Sequence, residues 1–232
     1  MALTVALAIG MRRMAARNVI VRRLIAVEAL GSCTYIATDK TGTLTVNQLT
    51  VRHVQFPGEP AWEITGEGLT TTGTWRLPEE ANLTEHSELI ARIGQVAVLA
   101  NEASLWRNDD EWTGSGDAVD LALLIFAHKI GITQAKTREQ FPETETIPYE
   151  SAARFSASLN QYPDGIYASV KGAVETVLPM CTHMATLQGD VPLVLNEIRI
   201  QAETLAASGY RVLALASGRP PPAVEALCGN RP

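Results

Sequence analysis

Hydrophobic positions in the middle of the chain recur every three or four residues. Residues 89–100 follow this spacing, which predicts an amphipathic helix. A second apolar run begins at Asp117, a good N-cap residue, and closes on Gly131, which predicts a helix of about twelve to fourteen residues. A short helix is predicted in residues 172–181 and a longer one in residues 192–208.

Alternating and continuous apolar runs predict several strands. Short strands are expected in residues 50–56 and 61–65, followed by a Gly/Thr-rich loop from Gly66 to Gly73. The segments RFSASLN and GIYASVK flank a Pro-Asp-Gly turn, in which proline presets φ and glycine accepts positive φ, so they predict a hairpin. The segment YRVLALA is expected to be a buried strand. The polar segment SLWRNDDEWTGSG is interpreted as a loop whose tryptophans, Trp106 and Trp112, cover a domain edge.

The amino end combines an apolar segment with basic clusters. The segment MALTVALAIGM has about eleven nearly uncharged residues, fewer than the roughly twenty of a membrane span. Basic residues follow rather than precede it, unlike in a signal peptide. It is typical of the cytoplasmic end of a membrane helix, and an amphipathic helix of a soluble protein is the alternative. Residues 12–31, with Leu24 among their apolar positions, predict a helix that stops at Gly31.

The next segment, CTYIAT, predicts a short buried strand that ends at Asp39. A mixed helix and strand block follows from about residue 55 to about residue 207, and a strand returns near residue 211. This order fits an α/β chain that leaves a parallel-sheet core, builds an inserted domain and comes back.

Composition narrows the classes of function. The 232 residues, 46% hydrophobic and 19% charged, suffice for one large or two smaller domains. A net charge of −6 argues against a broad nucleic-acid-binding surface. The cysteines Cys33, Cys181 and Cys228 are widely spaced, which favours neither a disulfide framework nor a zinc site and indicates a reducing compartment. The four histidines have no metal-ligand spacing.

The segment TDKTGTLT puts Asp39 in a polar, hydroxyl-rich turn directly after the predicted strand. A carboxylate there can act as a metal ligand, a base or a nucleophile that attacks a phosphoryl group. Lys40 and the hydroxyls of Thr41 and Thr43 could offset charge on the transferring oxygens, and Gly42 allows a tight backbone turn. The alternative is a polar turn in which Asp39 bonds its own backbone.

The seven residues DKTGTLT resemble the phosphorylation motif of P-type (E1–E2) cation-transporting ATPases. The resemblance implies that Asp39 is phosphorylated by ATP, with Lys40 and Thr41 as catalytic neighbours and Asp39 and Thr41 as Mg²⁺ ligands. The wider haloacid-dehalogenase-like superfamily usually carries a second aspartate at the position of Thr41. Its replacement should slow hydrolysis of the phosphoenzyme.

Four downstream segments resemble nucleotide-binding elements of the same family. In GDAVDLALL, Asp120 stands where the family has glutamate, and in IPYESAARFS, Tyr149 matches an aromatic residue that stacks on adenine. Arg154 matches a basic position, whereas Ser151 replaces a common arginine, which predicts weaker ATP binding. The remaining implied ATP-binding residues are Lys171 and Gly172 of VKGAVETVL and Arg211 of GYRVLALA. From the residues alone, Tyr149 would be core, and Lys171 and Arg211 solvated charges.

The resemblance, closest to calcium- and magnesium-type pumps, implies a domain order. Residues 1–31 would be the end of the fourth membrane helix and its stalk, and residues 32–52 the first strand of a partial haloacid-dehalogenase-like phosphorylation domain. Residues 53–210 would be an inserted α+β nucleotide-binding domain built on an antiparallel sheet. Residues 211–232 would return toward the phosphorylation domain and end in an irregular tail.

The sequence therefore predicts a fragment from the cytoplasmic face of an ATP-driven pump, with ATP and Mg²⁺ as cofactors. Its partners would be the remaining actuator, phosphorylation and membrane domains, with no nucleic acid. The family motifs T-G-D and G-D-G-x-N-D do not follow the nucleotide-binding segments. The isolated chain is thus expected to be soluble, to bind ATP weakly and to turn over little of it. The alternatives are a non-catalytic nucleotide-binding module from a truncated pump and a dehalogenase-superfamily phosphotransferase.

Overall fold

The computed structural model describes residues 2–23, 25–78, 81–109 and 111–221, apart from the side chains of residues 2, 3, 25 and 41. Leu24 of the predicted first helix and most of the predicted irregular tail, residues 222–232, lie outside this description. The chain divides into two compact units, residues 1–47 and residues 48–232.

The first unit contains two helices rather than the single helix predicted for residues 12–31. Helix α1 spans Ala2–Ala15 and helix α2 spans Ile25–Gly31, where the predicted stop at glycine is confirmed. The prediction of continuity was wrong because Asn18 adopts a left-handed conformation, with φ of 62°. The Asn18 and Val19 amides donate to the carbonyls of Ala15 and Met14, both at 3.0 Å, which closes α1 in a Schellman motif.

The predicted strand before Asp39 does not form. The described residues of the first unit contain no β-strand, and the side chains of Tyr35 and Ile36 are more than four-fifths exposed. A strand needs a neighbour to satisfy its backbone N–H and C=O groups, and this unit offers none among its described residues. The prediction of a strand directly before Asp39 was therefore wrong for the described residues of this unit.

The second unit opens with a small antiparallel sheet. Its strands are β1 (His53–Val54), β2 (Trp62–Ile64) and β3 (Trp75–Arg76), in the order β1-β2-β3. The first two confirm the strands predicted in residues 50–56 and 61–65, and the Gly/Thr-rich loop connects β2 to β3. The side chains of Trp62 and Ile64 on β2 are almost completely buried and begin the main core.

Two predicted helices pack on this sheet and complete the core. Helix α3 spans Ser87–Leu99, and helix α4 spans Ala118–Lys129. The Asp117 side chain accepts a hydrogen bond from the Val119 amide at 2.8 Å, so the predicted N-cap is confirmed. Buried side chains from both helices join those of β1 and β2, chiefly Leu89, Ala97, Leu123 and Phe126.

The segment interpreted as a polar loop is a β-hairpin. Strand β4 (Ser104–Asn108) pairs with β5 (Glu111–Ser115), and Asp109, with φ of 52°, lies in the turn. Cross-strand pairing of alternating residues outweighed the polar composition. Trp112 packs edge-on against His128 of α4 at 4.8 Å between ring centroids, whereas Trp106 is 45% exposed.

A four-stranded antiparallel sheet packs against α3. Its strands, in the order β11-β8-β7-β6, are β6 (Glu143–Ile147), β7 (Phe155–Tyr162), β8 (Gly165–Gly172) and β11 (Ala214–Gly218). Strands β7 and β8 confirm the predicted hairpin, because Tyr162 pairs with Gly165 around the Pro-Asp turn.

Strand β11 differs from the prediction for YRVLALA. It begins at Ala214 and runs antiparallel to β8 at the edge of the sheet, with Leu215 opposite Lys171. Its residues are half-buried or exposed rather than buried, because an edge strand is covered on one side only. Strand β11 thus adds an edge strand to the sheet that contains β8.

The remaining elements are short, apart from one helix. Helix α5 (Gln134–Gln140) lies beside α3. Helix α6 (Val174–Val177) continues into a 3₁₀ turn, and together they confirm the short helix predicted in residues 172–181. Strands β9 (His183–Thr186) and β10 (Gly189–Pro192) form an unpredicted hairpin, and α7 spans Leu195–Ala207 as predicted. The second unit is therefore the predicted α+β domain built on antiparallel sheets.

Among the described residues, no single helix is both long enough and apolar enough to cross a bilayer. Helices α4 and α5 meet at a bend of 88° and reach that length and hydropathy only when counted as a pair.

Candidate functional site

A buried ion pair joins the four-stranded sheet to helix α4. The Lys171 ammonium group, on β8, contacts Oδ1 of Asp120, and both residues are 6% exposed. The Glu102 amide donates to Oδ2 of Asp120 at 2.9 Å, and Asn101 Nδ2 donates to its carbonyl at 2.9 Å. The structure thus brings together two residues that the sequence analysis predicted for ATP binding, 51 positions apart.

Gly172 and Arg154 meet where β8 ends and β7 begins. A Cβ atom on Gly172 would lie 2.6 Å from the Arg154 carbonyl oxygen and 2.7 Å from Phe155 Cβ, so no larger residue fits. The Ala173 amide donates to that carbonyl at 2.9 Å. The Arg154 side chain points outward and pairs with Glu175 of α6 at 2.8 Å.

Tyr149 lies between β6 and β7 with 56% of its surface exposed, so it is not a core residue. Its amide donates to Oε1 of Glu102 at 3.1 Å. Glu102 therefore contacts both Tyr149 and Asp120, and the sequence analysis missed it. The only sequence signal is the polar pair Asn101-Glu102 directly after the apolar run of α3.

A polar cavity of about 240 Å³ lies between α3, α5 and the strands β6 and β7. Glu102, Arg138 and Glu143 contribute charged groups to its wall. Ser156 Oγ and Thr146 Oγ1 are also part of this wall, and both are buried without a hydrogen-bond partner in the described part of the chain. Ser156 is the cross-strand neighbour of Lys171, so the cavity lies beside the ion pair.

The volume of this cavity lies just below the roughly 300–1,000 Å³ of ligand pockets. Unpaired buried hydroxyls are costly, so they favour a polar occupant. The cavity therefore suits part of a ligand, such as a heterocyclic base, better than a whole nucleotide.

Arg211 and Ser151 do not join this cluster by a direct bond. Arg211 is exposed in the irregular segment before β11, and within the described residues no hydrogen bond or ion pair links it to Asp120 or Lys171. Ser151 is exposed in the turn that follows Tyr149.

The Asp39 motif forms a single π-helical turn, Lys40–Leu44, in the first unit. Asp39 is exposed, and its Oδ1 accepts a hydrogen bond from the Lys40 amide at 2.7 Å. Gly42 has φ of 76°, as its turn position requires. The backbone of Thr41 lies in this turn, and its side chain is not among those that the structure describes. Locally, the side chain of Asp39 caps its own turn, while its carboxylate stays accessible to solvent.

The described residues include no group of three or more acidic, histidine or cysteine side chains that could hold a metal ion. Mg²⁺ takes near-octahedral oxygen coordination. Asp39 alone among the described side chains of its turn offers a carboxylate, so the described residues do not form a complete Mg²⁺ site.

Comparison with known proteins identifies the family. The family model for the P-type ATPase, cytoplasmic domain N, matches residues 89–223. A cation-transporting ATPase of Synechocystis is 40% identical over 92% of this chain, and a probable cation-transporting ATPase F of Mycobacterium bovis is 37% identical over 94%. A calcium-transporting ATPase of Bacillus subtilis is 32% identical over 92%. The chain spans about a quarter of these relatives, 24% of each. The chain therefore belongs to the P-type ATPase family and carries its cytoplasmic domain N, which includes the buried pair and the polar cavity.

Proposed function

We propose that residues 48–221 bind ATP at the cavity beside the Lys171–Asp120 pair. The observation that carries this proposal is that Glu102, in the wall of the cavity, contacts both Asp120 of the buried pair and the backbone amide of Tyr149. The unpaired hydroxyl of Ser156, the cross-strand neighbour of Lys171, belongs to the same wall. An exposed aromatic ring offers a face on which a base can stack, and a polar cavity beside it can accept the edge of the base.

The charges suit different parts of the nucleotide. Lys171 is neutralised by Asp120 and buried, so it fits the base side of the site rather than the phosphates. The Arg211 side chain is exposed and cationic, and that of Arg154 is exposed although it pairs with Glu175, so both are accessible to the triphosphate. Gly172 serves by keeping the strand ends close together.

In the complete protein, we propose that this chain is the nucleotide-binding and phosphorylation region of an ATP-driven cation pump. A carboxylate oxygen of Asp39 would attack the γ-phosphorus of ATP, the bond to the β-phosphate oxygen would break, and ADP would leave. Lys40 and the Thr41 hydroxyl would offset charge on the transferring oxygens. Mg²⁺ would neutralise phosphate charge when bound, held by Asp39 and Thr41 together with oxygen ligands from outside this chain.

The domain order proposed for the parent follows the resemblance. Residues 1–31 would lead from a membrane helix, residues 32–52 would begin a haloacid-dehalogenase-like phosphorylation domain, and residues 53–210 would be the nucleotide-binding domain on the cytoplasmic face of the membrane. Residues 211–232 would lead back to the phosphorylation domain. The actuator, phosphorylation and membrane domains are the proposed partners.

The decisive measurement is a calorimetric titration of the chain with ATP, with GTP as the comparison nucleotide. We expect saturable binding that favours ATP. Tyr149→Ala should weaken ATP binding roughly fivefold to a hundredfold, because a base stacked on an aromatic ring contributes about 1–3 kcal/mol.

Tyr35→Ala is the matched control, because it removes an exposed tyrosine from the first unit. It should leave ATP affinity unchanged. Absence of binding by the folded wild-type chain, or equal affinities of wild type and Tyr149→Ala, would contradict the proposed site.

A further inference from the structure

We infer that Glu102 is a positioning residue that fixes Tyr149 relative to the Lys171–Asp120 pair. This inference rests on the proposed nucleotide site. It assigns a role to a residue that the family resemblance did not mark.

Glu102 makes two hydrogen bonds with two different parts of the site. Its backbone amide donates to Asp120 Oδ2 at 2.9 Å, across 18 sequence positions. Its side-chain Oε1 accepts from the Tyr149 amide at 3.1 Å, across 47 positions. Glu102 therefore links the Tyr149 segment to the carboxylate that holds Lys171.

Few hydrogen bonds hold the Tyr149 segment in the described part of the chain. Residues 148–154, between β6 and β7, contain no strand or helix, and the Tyr149 ring is more than half exposed. At the far end of the segment, the Arg154 amide donates to the Glu150 carbonyl at 2.7 Å, and the Arg154 carbonyl accepts from Ala173. At the near end, the segment follows Ile147, which pairs with Ala157 of β7, and the Tyr149 amide bonds to Glu102.

A ring held in place before the ligand arrives costs less ordering entropy on binding. Loss of the Glu102 side chain should therefore let the start of the segment move and weaken stacking on Tyr149. Contact between Glu102 and the nucleotide is not required for this effect.

The two bonds of Glu102 can be separated by substitution. Glu102→Ala removes the bond to Tyr149 but keeps the backbone amide that binds Asp120. Glu102→Gln keeps a side-chain oxygen that can accept from Tyr149 while it removes the charge. Glu139→Ala, an exposed glutamate on α5, is the matched control for loss of a negative charge.

ATP affinity of the four proteins is measured by calorimetry, and their melting temperatures are compared to show that all are folded. We expect Glu102→Ala to weaken ATP binding by about three- to tenfold, the size of one hydrogen bond. Glu102→Gln should restore most of the affinity, and Glu139→Ala should match the wild type. Unchanged affinity of Glu102→Ala, or a Glu102→Gln variant as weak as Glu102→Ala, would overturn the inference.

A double-mutant cycle with Tyr149→Ala tests whether Glu102 acts through the ring. In the Tyr149→Ala background, Glu102→Ala should cause no further loss of affinity. An equal loss in both backgrounds would show direct or purely structural action and would refute the positioning role. If the wild-type chain bound no ATP, the proposed function itself would fail and this inference with it. ATP binding that is insensitive to Glu102 would refute the inference alone.

Discussion

At the scale of single residues, burial separates two ion pairs that the sequence cannot rank. The side chains of Arg154 and Glu175 are 53% and 61% exposed, and pairs of this kind contribute about 0–1 kcal/mol to stability. Lys171 and Asp120 are buried, so removal of one partner leaves an uncompensated charge away from water. Their electrostatic contacts therefore matter for folding as well as for any ligand.

We predict that Lys171→Glu lowers the free energy of unfolding by about 3–5 kcal/mol, because it places a second carboxylate against Asp120 in a buried site. Urea denaturation followed by circular dichroism measures this change. Lys136→Glu reverses an exposed charge on α5 and should change stability by less than about 0.5 kcal/mol. Equal stabilities of the two variants would contradict the prediction.

Lys171→Glu would affect ATP binding as well as stability. Because Lys171 is an implied ATP-binding residue, reversal of its charge would also be expected to weaken ATP binding. In the structure, the same substitution is expected to destabilise the fold. A loss of ATP binding by Lys171→Glu would therefore not by itself show that Lys171 contacts the nucleotide. Tyr149→Ala is the cleaner test, because Tyr149 is exposed.

At the scale of elements, His86 ties the start of α3 to the turn after β1. The His86 ring is buried, packs edge-on against Trp62 at 4.4 Å, and its Nδ1 lies 2.9 Å from the Asn82 carbonyl oxygen. Its Nε2 lies 2.7 and 2.8 Å from the two carboxylate oxygens of Glu59. Both ring nitrogens face acceptors, so the protonated imidazolium satisfies both contacts.

Opposing effects act on the pKa of His86. Burial by itself lowers this pKa, but hydrogen bonds to Glu59 and Asn82 and the charges of Glu59 and Glu85 outweigh it and raise the pKa above its ordinary value. The folded state therefore binds the proton more tightly than the unfolded state does. The resulting stability is fully present below the unfolded-state value of about 6.5 and is lost as pH rises through the folded-state pKa.

We therefore predict that the free energy of unfolding falls as pH rises above about 6.5, and that Glu59→Gln flattens this dependence. Urea midpoints measured from about pH 5 to about pH 9 test it. His128→Gln is the control. Burial lowers the pKa of His128, so the stability that depends on His128 is lost as pH falls below about 6.5, and this substitution should leave the decrease above pH 6.5 unchanged. The same slope in wild type and Glu59→Gln would exclude the ion pair as its source.

At the scale of the whole molecule, burial is concentrated in the second unit. The buried hydrophobic residues extend from Val54 to Leu178, and none of the residues whose burial is described between 4 and 47 is buried. Burial of apolar surface is the dominant favourable term in folding. The second unit therefore contains the stabilising core that the structure describes.

We predict that a chain starting at Gln48 unfolds cooperatively, with the same urea midpoint as the full chain. Circular dichroism during urea denaturation measures both. Deletion of residues 214–232 is the contrasting truncation, because it removes β11 and exposes the backbone of β8. A large loss of stability on removal of residues 1–47 would contradict the prediction.

Local chemistry made several elements predictable. The Asp117 cap and Gly131 set the bounds of α4, and the Pro-Asp-Gly turn set the β7–β8 hairpin. The hairpins β4–β5 and β9–β10 were missed because short polar strands look like loops until a partner strand is known. The strand predicted before Asp39 failed for the converse reason: its apolar sequence has no partner strand in its unit as described.

The sequence by itself determined the family motif around Asp39, the helix caps and turns, and the residue types of the candidate site. Only the tertiary structure decided that Lys171 is buried against Asp120, that Gly172 is required by the Arg154 carbonyl, and that Glu102 joins Tyr149 to the pair. The physical reason is range. Caps and turns depend on neighbours within a few positions, whereas burial and pairing depend on residues brought together from distant parts of the chain.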